Sequence, residues 1–388
     1  MILYFITEAR FMRKGTAYYT EGSFTSSLWQ RYLSVFDKVV VVSRVMDVPE
    51  TKHIDEKFRS DMPSVSFLPI PYYIGPMAFI KNMGKVRKLM QESFRANNAY
   101  ILRVPGLVGY IASEVLYEKG IKYGVEVVGD PFDVFKPNGN PIKYIFRQIN
   151  VGILRKIVKK ASASIYVTEK QLQQRYPAEK NTFTTYASNV ILKKEFIEIE
   201  PRVTQINIPR IISIGMLSQM YKSPDVVIDA LFILKQKGIN CTVTWVGDGK
   251  YKIRMVEYAE QRGVSDRIEF IGLLPAGDAV RRKLYEHNLF VLVSRTEGLP
   301  RALIEAMASG IFCIATRVGG IPELLDEKWL IDANSPDQLA IAIENVINNP
   351  KLVLEQIAQN LKRVNDYSEI VLKQRREDFY NEIKRISI

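Results

Sequence analysis

The sequence predicts an α/β protein built from two Rossmann-like domains, each a doubly wound parallel sheet. The chain has 388 residues, which is more than one ordinary hydrophobic core accommodates. Its carboxyl half alternates short apolar runs with helical patterns, and its amino half repeats this alternation less regularly. Strands alternating with helices in this way form right-handed βαβ units around a parallel sheet.

The amino half contains several candidate strands that are apolar on both faces, as is typical of buried parallel strands. They are MILYFIT, KVVVVSRV, SVSFLPI, AYILRVP, YGVEVV and ASIYVT. The segment GTAYYTEGSF, residues 15–24, follows the first run and is predicted to be a loop rich in hydroxyl groups.

The carboxyl half begins with RIISIG, residues 210–215, and a helix from about Pro224 to Lys237. The strand candidates that continue the series are CTVTWVG, RIEFIG, LFVLVS and IFCIAT. Residues 196–209 carry two prolines and no clear period, so we predict the linker there. The predicted domains are therefore 1–195, 210–370 and a helix over 371–388 that packs back toward the first domain, with ligands bound outside the carboxyl ends of the strands.

The positive charge lies in one half of the chain. Residues 1–195 hold 29 Lys and Arg against 17 Asp and Glu, and this difference of +12 equals the net charge of the whole protein. A basic half beside a neutral half predicts an acidic partner or an anionic surface for the first domain.

Composition excludes several classes of function. No apolar run reaches the length that spans a bilayer, and no secretory signal is recognisable, so we expect a cytoplasmic protein. The two cysteines, Cys241 and Cys313, stand in predicted strands and are expected to be buried and reduced. Two histidines and two separated cysteines do not make a zinc site, and the basic half shows no motif for reading nucleic acid.

The segment SRTEGLPRALIEAMASG, residues 294–310, holds two glutamates in small, apolar surroundings. An unpaired carboxylate is costly to bury, so Glu305 is expected to face a cleft or to meet a ligand. Glu297 precedes Gly298, Leu299 and Pro300 in a tight turn from strand to helix, and the free N–H groups at a helix start attract phosphate. The alternatives are a capping carboxylate for Glu297 and a buried ion pair for Glu305.

The longer segment SRTEGLPRALIEAMASGIFCIATRVGGIPELL resembles the signature of the family 4 (group 1) retaining glycosyltransferases of GT-B type. WVGDGK, RIEFIGLL and ASNV also stand where that family has its GDG, F-G and domain-closing elements. The resemblance covers the carboxyl half in order, whereas it is only topological over residues 1–180. It implies a GT-B fold, with two Rossmann-like domains facing a central cleft, in which residues 1–195 bind the acceptor and residues 210–370 bind the nucleotide-sugar.

By this resemblance, Glu305 would hold the ribose hydroxyls of a nucleotide-sugar, and Glu297 would contact hydroxyls of the sugar. Lys222 would pair with the diphosphate and offset the charge that develops on the leaving group. The chain departs from the family at Met216, where relatives usually have an arginine; Arg295, Arg301 or the N–H groups of residues 298 and 299 are the candidates to compensate. The other donor-binding positions implied are Gly215, Gly247, Gly272, Gly298, Leu299 and, in the first domain, Gly22.

Many relatives carry a histidine near the end of a strand resembling YGVEVVGDP, and none is present here. Glu126 and Asp130 are the alternatives, and Asp130, which also suits an ordinary turn, is taken as the catalytic candidate. A retaining transferase needs no dedicated base if the departing phosphate accepts the proton, and the resemblance implies neither a metal nor a cofactor. The expected donor is a UDP-sugar.

Two basic stretches suggest an anionic membrane surface. Residues 78–95 place an apolar stripe beside lysines, and residues 155–160, RKIVKK, add more cations. The alternative is a core-facing helix with a solvated basic face. The predicted stripe comprises Phe79, Met83, Val86 and Met90, with Lys81, Lys85 and Lys88 beside it.

Together these patterns predict a retaining transferase that moves a sugar from a nucleotide-diphosphate-sugar to a hydroxyl of a glycan or lipid-linked glycan. We expect the protein in the cytoplasm, and the basic stretches add the expectation that it binds peripherally to the inner face of the plasma membrane. A nucleotide-sugar epimerase or hydrolase of the same fold is the first alternative. A donor-binding subunit without chemistry is the second.

Overall fold

The computed structural model describes residues 1–134, 141–203 and 205–388. These residues form two compact units, one of Met1–Ala187 with Lys373–Ile388 and one of Ser188–Leu372. The second unit begins ahead of the predicted linker, so residues 196–209 belong to it, except that residue 204 lies outside the described residues.

The described strands of the first unit form one sheet in the order β4-β3-β1-β5-β6-β7-β8, parallel throughout, with β2 added antiparallel to β1. The predicted strands are confirmed, but the first run extends beyond its prediction and a short strand lies in the predicted loop 15–24. The strands are β1 (Ile2–Lys14), β2 (Ala17–Thr20), β3 (Lys38–Asp47), β4 (Val65–Ile70), β5 (Ala99–Val104), β6 (Gly124–Val127), β7 (Ala163–Tyr166) and β8 (Phe183–Tyr186).

Helices cover both faces of this sheet. They are α1 (Ser26–Leu33), α2 (Pro76–Ser93), α3 (Leu107–Glu118), α4 (Pro131–Val134), α5 (Pro141–Lys160), α6 (Gln171–Arg175) and, from the end of the chain, α13 (Glu369–Ile386). On one face, α2, α3 and α5 lie side by side and share a core with Val125 and Val127 of β6. Glu126 points the other way and contacts Tyr32 of α1, whose ring packs against Tyr380 of α13.

The helix predicted over residues 78–95 forms, but the interpretation of its apolar stripe is wrong. Phe79, Val86 and Met90 are buried in the core, and of the stripe only Met83 is exposed. The stripe therefore packs onto the sheet, which is the core-facing alternative. The sequence could not distinguish the two, because helical periodicity identifies an apolar face and not what covers it.

The second unit contains a parallel sheet in the order β11-β10-β9-β12-β13-β14. Its strands are β9 (Arg210–Ile214), β10 (Thr242–Val246), β11 (Ile268–Gly272), β12 (Leu289–Leu292), β13 (Phe312–Thr316) and β14 (Leu330–Ile331). Its helices are α7 (Pro224–Gln236), α8 (Lys252–Gln261), α9 (Asp278–Tyr285), α10 (Arg301–Ala308), α11 (Pro336–Asn348) and α12 (Pro350–Val364). None of the helices in the described ranges is long and apolar enough to cross a membrane.

Candidate active site

The strand order of the second unit places the predicted residues at one edge of its sheet. The chain moves outward from β9 through β10 to β11, and then returns to the other side of β9 to form β12, β13 and β14. A reversal of this kind opens a crevice outside the carboxyl ends of the two central strands, here β9 and β12. Lys222 follows β9 and Glu297 follows β12, so both stand at this crevice.

Lys222 and Glu297, 75 residues apart in the sequence, form an ion pair. Glu297 also accepts a hydrogen bond of 2.6 Å from the hydroxyl of Ser294. The side chains of Lys222 and Glu297 are 12% and 9% exposed, so the pair is largely shielded from water. The carboxylate predicted to contact the sugar thus neutralises, without ligand, the ammonium predicted to meet the diphosphate.

Glycines at the carboxyl ends of β9, β10 and β11 let the chain pack tightly beside Lys222. A Cβ atom on Gly215 would stand 2.7 Å from Cγ of Lys222, so the lysine stem lies directly over this glycine. Gly247 has a φ of +147°, and its Cβ atom would stand 2.0 Å from the carbonyl oxygen of Gly215. Gly247 donates a hydrogen bond of 2.8 Å to Gly272, the last residue of β11. These glycines shape the edge of the crevice, and their contact with a donor stays a prediction.

The turn before α10 is held by the glycine pair that follows β13. The carbonyl of Gly298 accepts a hydrogen bond of 2.7 Å from Gly320, and a Cβ atom on Gly319 would stand 2.0 Å from the carbonyl oxygen of Glu297. Pro300 precedes the helix and does not take its first position, so the proline removes no N–H donor from the first turn. No side chain caps this helix start, and Leu299 beside it is half-buried.

Glu305, on α10, is half-buried, and burial raises the pKa of its carboxyl above the ordinary value of 4.5. Arg301, one turn earlier, opposes that rise through its charge. Within the ranges that the structure describes, the Glu305 carboxylate accepts no hydrogen bond and forms no ion pair, and it borders a small cavity that Leu192 and Phe196 also line. The predicted alternative of a buried ion pair is therefore not what the structure contains.

The cations proposed to compensate for Met216 are placed differently. Met216 itself is exposed. Arg295 forms an ion pair of 2.6 Å with Asp225 and donates a hydrogen bond of 2.6 Å to Asn334, so its guanidinium fastens the loop after β12 to the start of α7. Arg301 is exposed at the first position of α10. Arg301 is therefore the better placed of the two to reach a ligand.

Asp130, in the first unit, is buried, and both oxygens of its carboxylate have partners. Its carboxylate forms an ion pair with Arg175, and it accepts hydrogen bonds of 2.5 Å from the Tyr176 hydroxyl and 2.9 Å from the backbone of Phe132. These contacts begin α4 and tie it to α6, as expected of an aspartate in a turn. They favour the turn role, and the catalytic role of Asp130 stays a prediction that they do not support.

The other predicted positions of the first unit also have defined surroundings. Glu126 is buried and pairs with Arg103 at 2.7 Å and with the Tyr32 hydroxyl at 2.9 Å, so it too serves the interior of the unit. Gly22 is exposed just after β2, where a Cβ atom would meet only the Thr20 hydroxyl at an ordinary distance. Nothing in this unit requires a glycine at position 22, and its approach to a ligand stays a prediction.

Two residues with defined contacts were not identified from the sequence, Ser294 at the site and Glu8 inside the first unit. Ser294 holds Glu297, and the signal was its position three residues before that carboxylate. Glu8 lies at a register shift within β1, where it accepts hydrogen bonds of 2.6 Å from the Val108 backbone at the start of α3 and 3.0 Å from the Tyr73 hydroxyl. No pattern near Glu8 indicates its partners, because Tyr73 and Val108 follow β4 and β5, and Arg44, which forms an ion pair of 3.3 Å with Glu8, lies on β3.

Comparison with known proteins relates the chain to glycosyl transferases. The family model described as "Glycosyl transferases group 1" matches residues 197–363. The protein CapJ of Staphylococcus aureus is 28% identical over 354 residues, covering 90% of this chain and 88% of CapJ. The putative colanic acid biosynthesis glycosyltransferase WcaL of Escherichia coli is 32% identical over 165 residues, 40% of this chain and 39% of WcaL.

Two solved structures show the same fold along nearly the whole chain. Sucrose-phosphate synthase of Thermosynechococcus elongatus superposes with a TM-score of 0.67 at 14% identity, covering 99% of both chains. HepE of Anabaena in complex with UDP-glucose superposes with a TM-score of 0.61 at 15% identity, covering 97% of this chain and 98% of HepE. These likenesses confirm the predicted α/β architecture of two Rossmann-like domains.

Proposed function

We propose, from the match of residues 197–363 to the group 1 glycosyl transferase family model, that the chain moves a sugar from a nucleotide-diphosphate-sugar to a hydroxyl of a glycan or lipid-linked glycan. The chain has the GT-B fold of such enzymes. The relative WcaL is named for colanic acid biosynthesis, which supports a glycan acceptor. The alternative of an epimerase or hydrolase gains no support from these comparisons.

The observation that carries the proposal is the pairing of Lys222 with Glu297 at the crevice between β9 and β12. A diphosphate that entered the crevice would compete with Glu297 for the ammonium of Lys222. The carboxylate released from that pair would then accept hydrogen bonds from sugar hydroxyl groups. A largely buried cation is effective at stabilising a leaving diphosphate, because little water is present to screen it.

Glu305 suits the ribose of the donor. Its carboxylate has two acceptor oxygens and no partner among the described residues, and two vicinal hydroxyl groups supply the two donors that it lacks. The uncapped N–H groups at the start of α10, four residues earlier, suit a phosphate oxygen. HepE was solved with UDP-glucose, which favours a UDP-sugar as the donor.

We further propose that transfer retains the anomeric configuration and needs no metal. The leaving phosphate would accept the proton of the attacking hydroxyl on the same face of the sugar, so no side-chain base is needed. This proposal agrees with the engagement of Asp130 and Glu126 in contacts within the first unit. We propose that the enzyme acts in the cytoplasm, where nucleotide-sugars are made, at the inner face of the plasma membrane.

Donor and reaction can be tested together. A panel of nucleotide-sugars is screened by thermal shift, where a donor at 100 times its Kd should add about 2.7 kcal/mol of stability. The donor identified is then incubated with and without a glycan acceptor, and the anomeric configuration of the product is read by NMR. Acceptor-dependent transfer with retention, unchanged by EDTA, supports the proposal. Turnover to an epimer or free sugar as the main product, or a requirement for Mg²⁺, would contradict it.

A further inference from the structure

The first ten residues of α5, Pro141–Asn150, include no buried side chain. Within them Ile142, Ile145, Phe146 and Ile149 follow the spacing i, i+3, i+4, i+7, which places them on one face of the helix. All four are between 43% and 62% exposed. A continuous apolar stripe of this kind normally faces a core, and here its four side chains keep about half of their surface exposed.

The second half of the same helix behaves as an ordinary amphipathic helix. Val151, Leu154, Ile157 and Val158 are buried in the core of the first unit. The helix is thus anchored in the core by its last turns, and its first ten residues, about 15 Å long, contact α4 through Arg147, whose guanidinium lies 4.3 Å from the centre of the Phe132 ring. This contact does not cover the four stripe residues, which keep 43% to 62% of their surface exposed.

The start of α2 adds a second exposed apolar group. Met77, Ile80 and Met83 are 72%, 59% and 44% exposed. Helices that follow parallel strands begin at the carboxyl edge of the sheet, α2 after β4 and α5 after β6 and α4. Because α2, α3 and α5 lie side by side on the same face, the exposed starts of α2 and α5 belong to one edge of the unit. We call this edge the amphiphilic edge, defined by residues 77–83 and 142–149.

The charge of the two helices is strongly positive. α5 contains six Lys and Arg and no Asp or Glu, and α2 contains four Lys and Arg and one Glu. Their combined net charge of +9 makes up most of the +12 of the whole chain. Lys81 and Lys85 of α2 and Lys143 of α5 lie among the exposed apolar residues and are themselves exposed.

We propose that the amphiphilic edge docks on an anionic lipid bilayer, with the stripe of α5 inserted among the acyl chains and the cations against the headgroups. Exposed apolar side chains gain free energy on leaving water, and the cations gain from an anionic surface. A helix lying in the membrane interface needs both of these properties on adjacent faces, and α5 has them. This inference deepens the proposed function, because the edge belongs to the unit assigned to the acceptor and would bring that unit to a lipid-linked glycan.

The experiment measures sedimentation of the full chain with vesicles of phosphatidylcholine alone or with 30% phosphatidylglycerol. We expect binding to the anionic vesicles that weakens as salt is raised. Ile145→Ser with Phe146→Ser should lower the partition coefficient at least tenfold, and Lys81→Gln with Lys85→Gln and Lys143→Gln should lower it and flatten its salt dependence. Ile253→Ser with Val256→Ser, an exposed apolar pair on α8, is the matched control and should bind as the wild type does.

Insertion is read separately by fluorescence. The three native tryptophans, Trp29, Trp245 and Trp329, are buried, so a new indole dominates any change caused by lipid. Phe146→Trp should shift its emission to the blue on anionic vesicles, whereas Ile253→Trp should not. An absent shift at position 146, or serine variants that still sediment with lipid, would overturn the proposal.

Self-association is the competing explanation for the stripe. If the wild type is a dimer in solution, if Ile145→Ser with Phe146→Ser makes it a monomer, and if neither binds vesicles, then the partner is a second copy and the bilayer is excluded. Binding of nucleoside diphosphates is measured on the same variants. Loss of vesicle binding with diphosphate binding intact tests the edge alone, whereas a wild type that binds vesicles but no nucleotide contradicts the proposed function and leaves the edge in place.

Discussion

The Lys222 ammonium contacts the Glu297 carboxylate in the structure, and we propose that it binds the diphosphate of the donor. Lys222→Met keeps an aliphatic stem over Gly215 and removes the ammonium. A lost charged hydrogen bond costs about 1.5 to 3 kcal/mol, so we expect nucleoside diphosphate to bind at least tenfold more weakly. Binding of the nucleoside alone should be unchanged, and calorimetry measures both.

The same substitution also tests the ion pair. Glu297 would lose its cation while 9% exposed, and breaking a buried pair costs about 3 to 5 kcal/mol of stability. Lys222→Met with Glu297→Gln removes both charges, and we expect it to recover most of that stability without recovering diphosphate binding. If the double variant binds diphosphate as the wild type does, Lys222 is not a diphosphate ligand.

We expect the Glu305 carboxylate to lower the stability of the folded protein while it contributes to donor binding. Burial raises the pKa of its carboxyl above 4.5, so the folded protein binds more protons than the unfolded chain in the window just above pH 4.5. Stability attributable to this group therefore falls as the pH rises through the raised pKa of the folded protein. Glu305→Gln should melt higher than the wild type at pH 7 and show a flatter pH dependence above pH 4.5.

The donor should respond in the opposite direction. An amide carries no charge and has one acceptor oxygen where the carboxylate has two, so Glu305→Gln should raise the KM for the nucleotide-sugar about tenfold or more. Differential scanning fluorimetry across pH and steady-state kinetics provide the two measurements. A variant that is less stable at pH 7 and has an unchanged KM would show that Glu305 serves the fold.

The positions of single residues in the second unit were predictable, because Lys222 and Glu297 follow strands whose apolar runs are easily recognised and Glu305 lies on the helix after the second of them. Their contacts with a donor stay predictions. Asp130 shows where that reasoning ends, because its partners Arg175 and Tyr176 are 45 and 46 residues away and no pattern announces them. A carboxylate after a strand looks the same in sequence whether it meets a substrate or an arginine.

At the scale of elements, the carboxyl ends of β9, β10 and β11 depend on Gly247. Alanine there would place a Cβ atom 2.0 Å from the Gly215 carbonyl oxygen, at a φ of +147° that side chains rarely adopt. We expect Gly247→Ala to lose about 2 kcal/mol or more of stability and to weaken donor binding, since Gly215 carries the Lys222 stem.

Gly263→Ala is the matched control for that prediction. Gly263 also has a positive φ, +65°, but a Cβ atom there would meet nothing within 4 Å, so the substitution reports backbone strain without a clash. It should cost about 1 kcal/mol and spare donor binding. Equal losses of stability and of donor binding in the two variants would show that the packing of Gly247 on Gly215 does not support the site.

Elements were predictable where they are apolar and long enough. The buried strands of both sheets were found from their Val, Ile and Leu runs, whereas β2, β8 and β14 are short and lack such runs. Helix direction was less predictable. The stripe of α2 was given a membrane interpretation with a core-facing helix as the alternative, and it packs on the sheet. The stripe of α5 was not identified, because Lys143, Tyr144 and Arg147 separate its apolar residues in the sequence although these share one face of the helix.

For the whole molecule, the two halves differ in how much their sequences reveal. The family match covers residues 197–363, and the amino half has the fold without the motifs. On the proposed function, the motifs of the carboxyl half serve the nucleotide-sugar, and the amino half, which would receive the acceptor, has a sheet with basic helices and no such motif. The +12 charge of the amino half therefore says more about its partner than any motif in it.

The first unit is also discontinuous along the chain, which leads to a prediction about folding. Residues 373–388 belong to this unit although 185 residues separate them from Ala187. Phe379, Tyr380 and Ile383 of α13 are fully buried there, and a Cβ atom on Gly124 would collide with Ile383. Without this helix, Tyr32 and the outer face of β6 would be exposed to water.

We therefore expect the fragment 1–187 to be unstable alone, because losing three buried apolar side chains costs several kcal/mol, a large fraction of the stability of an ordinary domain. The fragment 1–187 joined by a short flexible linker to residues 369–388 should fold cooperatively. The same fusion with Tyr380→Ala and Ile383→Ala should be as unstable as the fragment 1–187 alone. Circular dichroism melts and hydrogen exchange of β6 amides provide the measurement. A bare fragment as stable as the fusion would show that α13 covers the unit without holding it together.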